Sequence, residues 1–440
     1  MTFPLRGRVR VDATKGSSRC DASRRRGPRS AGCGPSTSGE RPEDTLRFPG
    51  VNPGRRIRWT TVADRDRGCS ARGLSTGIGR CPGQAVHPDP SVGPVIRSRR
   101  LLLPALAVLL LTSLGAPPAG AAERRSAVVA LGDSAASGEG AGDYVAGTRG
   151  EGGDWCHRSA HAYVHRTALA DESVNLACSG AEAADVGFGS GSHYTEGSQA
   201  ARLGEVAREY RVTTVILQVG ANDEPELTGT GIACIRAYLD PTVPPCRESL
   251  GADVPGRMAA VAPRVESVVR DVRAAMGQAG YADDDYVLVL ASYASPVTEA
   301  MVPLQGARGC PYSRADAGWG RTVVFPALSD ALRGVAERTG VRFIDMARAT
   351  EGFEACSRSP RSEEWQRRIT VDPEAFVYGG LDAVGYHLAQ ESFHPTAAAH
   401  AEMGRCIGEF VRSGAPGAAC VAGADGRVRA EVGAAAASPA

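Results

Sequence analysis

The stretch VVALGDSAASGEGAGDY, residues 128–144, passes from apolar residues into Gly-Asp-Ser and then into glycines and other small residues. Its first residues predict a buried β-strand, which Gly132 ends. Ser134 then stands at the carboxyl end of the strand, where open α/β sheets bind their ligands. A serine hydroxyl is a weak nucleophile alone, so a catalytic Ser134 requires a base and oxyanion donors at other strand ends.

From Ala127 onward, short apolar runs alternate with helical patterns, which predicts βαβ units and a parallel sheet. Strands are expected at residues 127–131, 173–177, 213–220, 286–292 and 341–346. Helices are expected at residues 158–170, 198–210, 255–279, 322–339 and 396–411. We therefore predict one three-layer α/β domain over residues 122–412, with a five-stranded parallel sheet and helices on both faces.

Candidate oxyanion donors follow the second and third expected strands. Gly180, in NLACSGA, offers a backbone N–H that no side chain obstructs, and Asn222, in VGAND, offers a side-chain amide. With the N–H of Ser134, these would form an oxyanion hole of three donors. The candidate base is His394, in ESFHPTAAAH, and Glu391 three residues earlier is placed to orient its imidazole.

Taken together, these blocks resemble the four motifs of the SGNH (GDSL) hydrolase family. The matching residues are Gly132-Asp133-Ser134, Gly180, Gly220-Ala221-Asn222-Asp223 and Glu391-Ser392-Phe393-His394-Pro395. The extended GDSAASGEGAGDY is similar to secreted actinobacterial lipases and esterases of that family. The resemblance spans residues 127–404, and it implies a flavodoxin-like fold of strand order 2-1-3-4-5 that hydrolyses carboxylic esters without a metal or other cofactor.

One position departs from the family pattern. The last motif usually reads Asp-x-x-His, and here the acidic residue is Glu391. In some relatives a backbone carbonyl orients the histidine instead, so either group is a candidate partner for His394. Asp133 and Asp223 are interpreted as structural residues of their turns.

Three further histidines, His157, His161 and His165, recur every four residues. A metal-binding face needs carboxylates at suitable spacing, which are lacking, so a solvated helix face is the preferred interpretation. His400, six residues after His394, is a less suitable candidate base.

Charge divides the chain into two unlike parts. Residues 1–121 contain 20 Arg and 1 Lys against 8 acidic residues, a net charge of +13, whereas residues 122–440 carry −12. Residues 1–96 show no sustained periodicity and are interpreted as a disordered or mis-annotated extension, with translation starting near Val92 or Val95. The alternative is a basic targeting or nucleic-acid-binding arm.

Residues 97–121 join a basic start, an apolar run and Ala-Gly-Ala, which predicts a secretory signal peptide.

Eight cysteines follow this segment, and an even number behind a signal peptide predicts disulfides. They are Cys156, Cys178, Cys234, Cys246, Cys310, Cys356, Cys406 and Cys420. Sequential pairing of neighbours closes short local loops and is preferred. Metal ligation or free thiols are the alternatives, and metal is disfavoured because no CxxC spacing occurs.

The sequence thus predicts a secreted, extracellular serine ester hydrolase that acts on an ester or lipid substrate. A carbohydrate deacetylase of the acetylxylan-esterase kind is one alternative, and a catalytically silent glycan- or surface-binding module is another. We expect a monomer. A stable membrane span is not expected, because the apolar run is shorter than the roughly 20 residues of a span. The acidic domain and 5% aromatic content argue against nucleic-acid binding. Residues 413–440 are expected to form an Ala/Gly-rich tail.

Overall fold

A computed structural model describes residues 124–189, 191–223 and 227–433 of the chain. The strands are β1 (Ser126–Gly132), β2 (Glu172–Asn175), β3 (Arg211–Gln218), β4 (Val287–Ala291), β5 (Arg342–Asp345), β6 (Gly417–Ala422) and β7 (Val428–Val432). The α-helices in these ranges are α1 (Ser134–Ser137), α2 (Ala183–Val186), α3 (Gln199–Glu209), α4 (Leu227–Leu239), α5 (Cys246–Leu250), α6 (Val254–Ala259), α7 (Ala262–Gln278), α8 (Arg314–Trp319), α9 (Phe325–Thr339), α10 (Glu374–Gly379) and α11 (Ala397–Ser413).

The strands form a single sheet in the order β2-β1-β3-β4-β5-β6-β7. Strands β2 to β6 are parallel, and β7 pairs antiparallel with β6. The predicted fold class and the order 2-1-3-4-5 of the first five strands are confirmed. The expected number of five strands is wrong, because residues 417–432 extend the sheet where an Ala/Gly-rich tail was expected. Pairing with β5 and packing of α11 against β6 and β7 overcome the weak strand preference of alanine and glycine.

Two apolar layers cover the sheet, one on each face. Successive side chains of a strand point to opposite faces, so Val129 and Leu131 of β1 pack in one layer while Val128 and Ala130 pack in the other. The first layer includes buried residues of α3, α7 and α9, and the second includes those of α11. The predicted three-layer arrangement is therefore present.

Three helix predictions need correction. The expected helix at residues 158–170 is reduced to a short 3₁₀ turn, Tyr163–Arg166, whose backbone lies directly against α11 at Gly404. The expected helix at residues 255–279 is two helices, α6 and α7, and Pro263 stands in the first turn of the second. Helices α4 and α5 lie between the expected strand at residues 213–220 and the expected helix at residues 255–279, where no helix was predicted.

Four disulfides connect the eight cysteines in sequential pairs, as predicted. The pairs are Cys156–Cys178, Cys234–Cys246, Cys310–Cys356 and Cys406–Cys420. The first joins the segment after β2 to the long loop that follows β1, and the last joins α11 to β6. The longest loop they close separates its cysteines by 46 residues.

Two predicted segments, the extension at residues 1–96 and the signal peptide at residues 97–121, lie outside the described residues. They remain predictions. Among the helices that the structure describes, none combines the length and the apolar character needed to cross a bilayer.

Candidate active site

Ser134 is presented at the carboxyl end of β1 by a turn that only glycine fits. Gly132 has φ +141°, and a Cβ there would lie 1.9 Å from the carbonyl oxygen of Gln218 in β3. The next N–H, from Asp133, donates to that same oxygen at 3.1 Å. Ser134 is therefore fixed between two neighbouring central strands and begins helix α1.

Asp133 holds this turn from beneath. Its fully buried carboxylate caps α1 by accepting the N–H of Ala135 at 3.1 Å, and it also accepts the hydroxyl of Tyr293. Burial raises the pKa of Asp133 to about 7, although the Tyr293 hydrogen bond acts in the opposite direction. The carboxylate points into protein, in keeping with a structural interpretation of this residue.

His394 lies in the loop before α11 and reaches the serine. Its Nε2 is 2.8 Å from Oγ of Ser134, and its Nδ1 is 3.1 Å from the carbonyl oxygen of Ser392. A carbonyl only accepts hydrogen bonds, so Nδ1 carries the proton and Nε2 is free to accept one. Burial lowers the pKa of His394 below its usual value, which favours the neutral ring that a general base requires.

The predicted contact between Glu391 and His394 is not formed. The Glu391 carboxylate instead accepts the hydroxyl of Tyr144 at 2.6 Å and faces Arg367 at 3.7 Å. The turn through Phe393, with φ +62°, brings the Ser392 carbonyl to Nδ1 in place of the glutamate. Of the two candidate partners for the imidazole, the structure therefore places the backbone carbonyl there.

The two remaining motif residues follow β2 and β3. The side-chain amide of Asn222 donates to the carbonyl oxygen of Ala181 at 3.1 Å, which links the Asn222 turn to the residue after Gly180. Gly180 has φ +81°, a conformation that favours glycine. Among the described residues, the backbone N–H groups of Ser134 and Gly180 have no protein acceptor. Asp223 accepts the N–H of Ala183 and holds the same turn, as its structural interpretation requires.

A buried carboxylate that the motifs did not identify lies beside this site. Glu139 is completely buried and contacts Ser179 Oγ at 2.7 Å, Gln390 Nε2 at 2.8 Å, His157 Nδ1 at 3.0 Å and the Tyr144 hydroxyl at 3.2 Å. The sequence carries a signal for it, because Glu139 is a charged residue inside a run of glycines and other small residues.

The expected solvated face of histidines is wrong for its first member. His157 is 1% exposed, stacks on Tyr144 and forms an ion pair with Glu139. It lies outside any helix, since its backbone has φ +46° and its N–H donates to the carbonyl oxygen of Thr148 at 2.8 Å. His161 and His165 are more accessible and contact Asp143 and Ser173.

A pocket of about 370 Å³ opens beside Ser134, His394 and Asn222. Most of its lining is apolar and comes from helices α4 and α8 and from the loops before them and before α11. Side chains of this lining include Ile232, Ile235, Val297, Trp319 and Phe393. The pocket can therefore hold an extended apolar group next to the serine hydroxyl.

One cluster of metal-ligand type residues occurs among the described ranges, formed by Asp154, Cys156 and Glu196. The sulfur of Cys156 is bonded to Cys178, so it offers no thiolate. The Glu196 carboxylate is paired with Arg158 and Arg202. The cluster is better described as a disulfide flanked by an ion pair than as a metal site.

Residues 130–402 match the family model of the GDSL-like lipase/acylhydrolase family. The chain belongs to this family. The match includes all four motifs, so the resemblance inferred from them is confirmed. Membership identifies the protein as a hydrolase of the GDSL type, in which Ser134 is the serine of the Gly-Asp-Ser motif.

Several solved structures are similar to the chain. Phospholipase A1 from Streptomyces albidoflavus NA297 is 23% identical over 63% of this chain and 94% of its own, with a TM-score of 0.40. An extracellular lipase from Streptomyces rimosus is 21% identical over 62% and 94%, with a TM-score of 0.40. A carbohydrate acetylesterase from Sinorhizobium meliloti is 14% identical over 66% and 99%, with a TM-score of 0.32. Comparison with curated proteins gives no match.

Proposed function

We propose that this protein hydrolyses carboxylic esters with Ser134 as nucleophile and His394 as general base and then general acid. The observation that carries the proposal is the 2.8 Å contact between Oγ of Ser134 and Nε2 of His394, with Nδ1 bonded to the Ser392 carbonyl. This pairing supplies an activated hydroxyl at the mouth of a pocket, which acyl transfer requires and a binding module does not.

In the first half of the reaction, Ser134 Oγ attacks the ester carbonyl carbon while its proton passes to Nε2 of His394. The N–H groups of Ser134 and Gly180 and the amide of Asn222 stabilise the resulting oxyanion. When the tetrahedral intermediate collapses, the bond to the alcohol oxygen breaks, and His394 returns the proton to that oxygen. The products of this half are the free alcohol and an acyl ester on Ser134.

In the second half, water attacks the acyl carbon and gives a proton to His394. The second tetrahedral intermediate expels Ser134, which regains its proton from Nε2 as the carboxylic acid leaves. The imidazole is thus protonated once in each half, and the Ser392 carbonyl keeps Nδ1–H in place throughout.

The substrate that fits best is an ester with an apolar acyl chain, which makes the enzyme a lipase or carboxylesterase. The apolar pocket beside Ser134 supports this assignment, because an acetyl group alone would leave most of its 370 Å³ unfilled. Secretion is part of the proposal. It is supported by the four disulfides and by the predicted signal peptide at residues 97–121.

The test uses the chain from Ala122 onward, exported to an oxidising compartment and treated with a fluorophosphonate probe and with p-nitrophenyl esters. We expect labelling and turnover in the parent, and losses of about 10³-fold or more in Ser134→Ala and His394→Ala. Matched controls are Ser249→Ala and His161→Ala, which alter an exposed serine and a more accessible histidine away from Ser134. A folded parent that neither labels nor hydrolyses would favour the binding-module alternative.

Substrate class is decided by comparing acetyl, octanoyl and palmitoyl esters with release of acetate from acetylated xylan. An apolar acyl pocket predicts higher kcat/KM for octanoyl or palmitoyl than for acetyl esters. Preference for acetylated xylan would instead identify a carbohydrate deacetylase. Sequencing the N-terminus of the exported full chain tests whether cleavage follows Ala121.

A further inference from the structure

Glu139 is the buried charged residue whose contacts reach furthest across the active-site loops. Its carboxylate accepts hydrogen bonds from Ser179 and Gln390 and pairs with His157. We propose, resting on the function above, that Glu139 is a positioning residue for His394. Its carboxylate joins the loops that carry the base and the oxyanion donor to the segment after Ser134, and its charge stabilises the imidazolium that forms during turnover.

The contacts connect three loops that are distant in sequence. Ser179 immediately precedes Gly180, and Gln390 lies four residues before His394. Gln390 also donates to the carbonyl oxygen of Trp155 at 3.0 Å, so the His394 loop is bound at two points. Glu139 itself belongs to the segment that begins at Ser134. A single side chain therefore fixes the spacing between nucleophile, base and one oxyanion donor, on which the reaction rate depends.

The backbone beside Glu139 also touches the base. A Cβ built on Gly140 would lie 2.9 Å from the Cβ of His394, so the two chain segments are in direct contact. The carbonyl oxygen of Gly140 accepts a hydrogen bond from Nε–H of Arg367 at 2.7 Å. The backbone N–H of Gly140 donates to the Tyr144 hydroxyl. Movement of residue 139 would therefore displace the imidazole.

Charge adds to this geometric role. Although burial acts to raise it, the ion pair with His157 lowers the pKa of Glu139 to about 2, so the residue is an anion at neutral pH. Burial has the largest influence on the pKa of His394 and lowers it. The second largest influence is the negative charge of Glu139, which raises that pKa. His157 acts on His394 in the opposite direction and more weakly.

Such a charge has a place in the mechanism. The Ser392 carbonyl that holds Nδ1 has no net charge, and Glu391 pairs with Tyr144 and Arg367 instead. Glu139 therefore supplies the anion that a triad carboxylate supplies elsewhere, without touching the ring. The titratable or charged groups around this cluster are Tyr144, His157, Tyr194, Arg367, Asp372, Glu391, His394 and His400.

The test replaces Glu139 by glutamine, which keeps the size of the side chain and removes its charge. The control is Glu402→Gln, which neutralises an ion-paired carboxylate on α11 that has no contact with the site. We expect Glu139→Gln to lower kcat by roughly tenfold or more and to leave KM within about threefold. We also expect the fall in kcat/KM at acid pH to have its midpoint about one pH unit lower in this variant than in the parent. Glu402→Gln should match the parent.

A second readout needs no catalysis. NMR titration of the imidazole Cε1–H signals, with His394 assigned by its disappearance in His394→Ala, gives the pKa of His394 directly. A lower pKa in Glu139→Gln supports the proposal. If the parent hydrolyses no ester, the proposed function fails, while this titration still decides the role of Glu139.

If Glu139→Gln does not fold, the double variant Glu139→Gln/His157→Gln removes both charges of the pair and avoids leaving one of them buried alone. It too should show a lowered pKa of His394, because Glu139 is the stronger influence. The proposal is overturned if a folded variant keeps kcat within twofold of the parent, or if the pKa of His394 is unchanged.

Discussion

Nδ1 of His394 lies 3.1 Å from the carbonyl oxygen of Ser392, only two residues earlier in the chain. The backbone of one loop thus both carries the base and selects its tautomer. Because no carboxylate holds Nδ1, we expect Glu391→Gln to keep kcat within about threefold of the parent. Steady-state kinetics on a p-nitrophenyl ester measures this, with His394→Ala as the inactive reference. A fall on the order of 10⁴-fold would return Glu391 to the catalytic set.

Asn222 is the side-chain donor of the proposed oxyanion hole. We expect Asn222→Ala to lower kcat by about 10² to 10³-fold with little change in KM, because the lost hydrogen bond forms mainly in the transition state. The control is Gln278→Ala, which removes an exposed amide at the end of α7 and should leave the kinetics unchanged. Equal kcat values in the two variants, with unchanged melting temperatures, would remove Asn222 from the mechanism.

Asp133 gives a pH-dependent contribution to stability. Its pKa in the folded protein is about 7 against 3.8 for an ordinary aspartate, because the side chain is buried. The folded state therefore binds the proton more tightly than the unfolded state. The stability that this supplies is complete below about pH 4 and is lost as the pH rises to about 7, by up to about 1.4 kcal/mol per pH unit.

Asp133→Asn removes that titration and keeps an oxygen that can cap α1. We expect the difference in free energy of unfolding, parent minus variant, to decrease from pH 4 to pH 7. Urea denaturation at several pH values measures both proteins, and groups that titrate equally in each cancel in the difference. A difference that is flat with pH would show that Asp133 is ionised in the folded protein throughout this range.

The disulfides differ in their distance from the site. Replacing either the pair Cys156/Cys178 or the pair Cys406/Cys420 by serine should cost about 2–5 kcal/mol of stability. Cys156 and Cys178 adjoin His157 and Ser179, so their loss should also lower kcat. Loss of Cys406–Cys420, which joins α11 to β6, should leave kcat close to that of the parent. Denaturation and initial-rate measurements on both double variants test this distinction. Equal effects of the two replacements on kcat would contradict it.

The strands and motifs were predictable because their signals are local. Apolar runs such as 127–131 end in glycine or small polar residues, and parallel connectivity brings their carboxyl ends to one edge of the sheet. Each motif could therefore be placed from its own strand. The family resemblance rested on the four motifs taken together, and the order of the first five strands was what that resemblance implied.

The features that sequence reasoning missed depend on distant residues. The contacts of Glu139 with His157, Ser179 and Gln390 span 18, 40 and 251 residues, which no periodicity reveals. Strand β6 is rich in alanine and glycine, and its pairing with β5 determines its conformation more than its own composition does. The partner of Glu391 likewise depends on Tyr144, 247 residues away.

The four disulfides have an order that matters for how the chain is made. Within the described residues, each bridge joins two cysteines that follow one another along the chain, so none of these four bridges encloses or crosses another. During synthesis from the N-terminus, every bridge can close once its second cysteine has emerged, before the next pair arrives. An oxidase acting on the emerging chain would then produce the native connectivity directly, with little need for an isomerase to rearrange mispaired thiols.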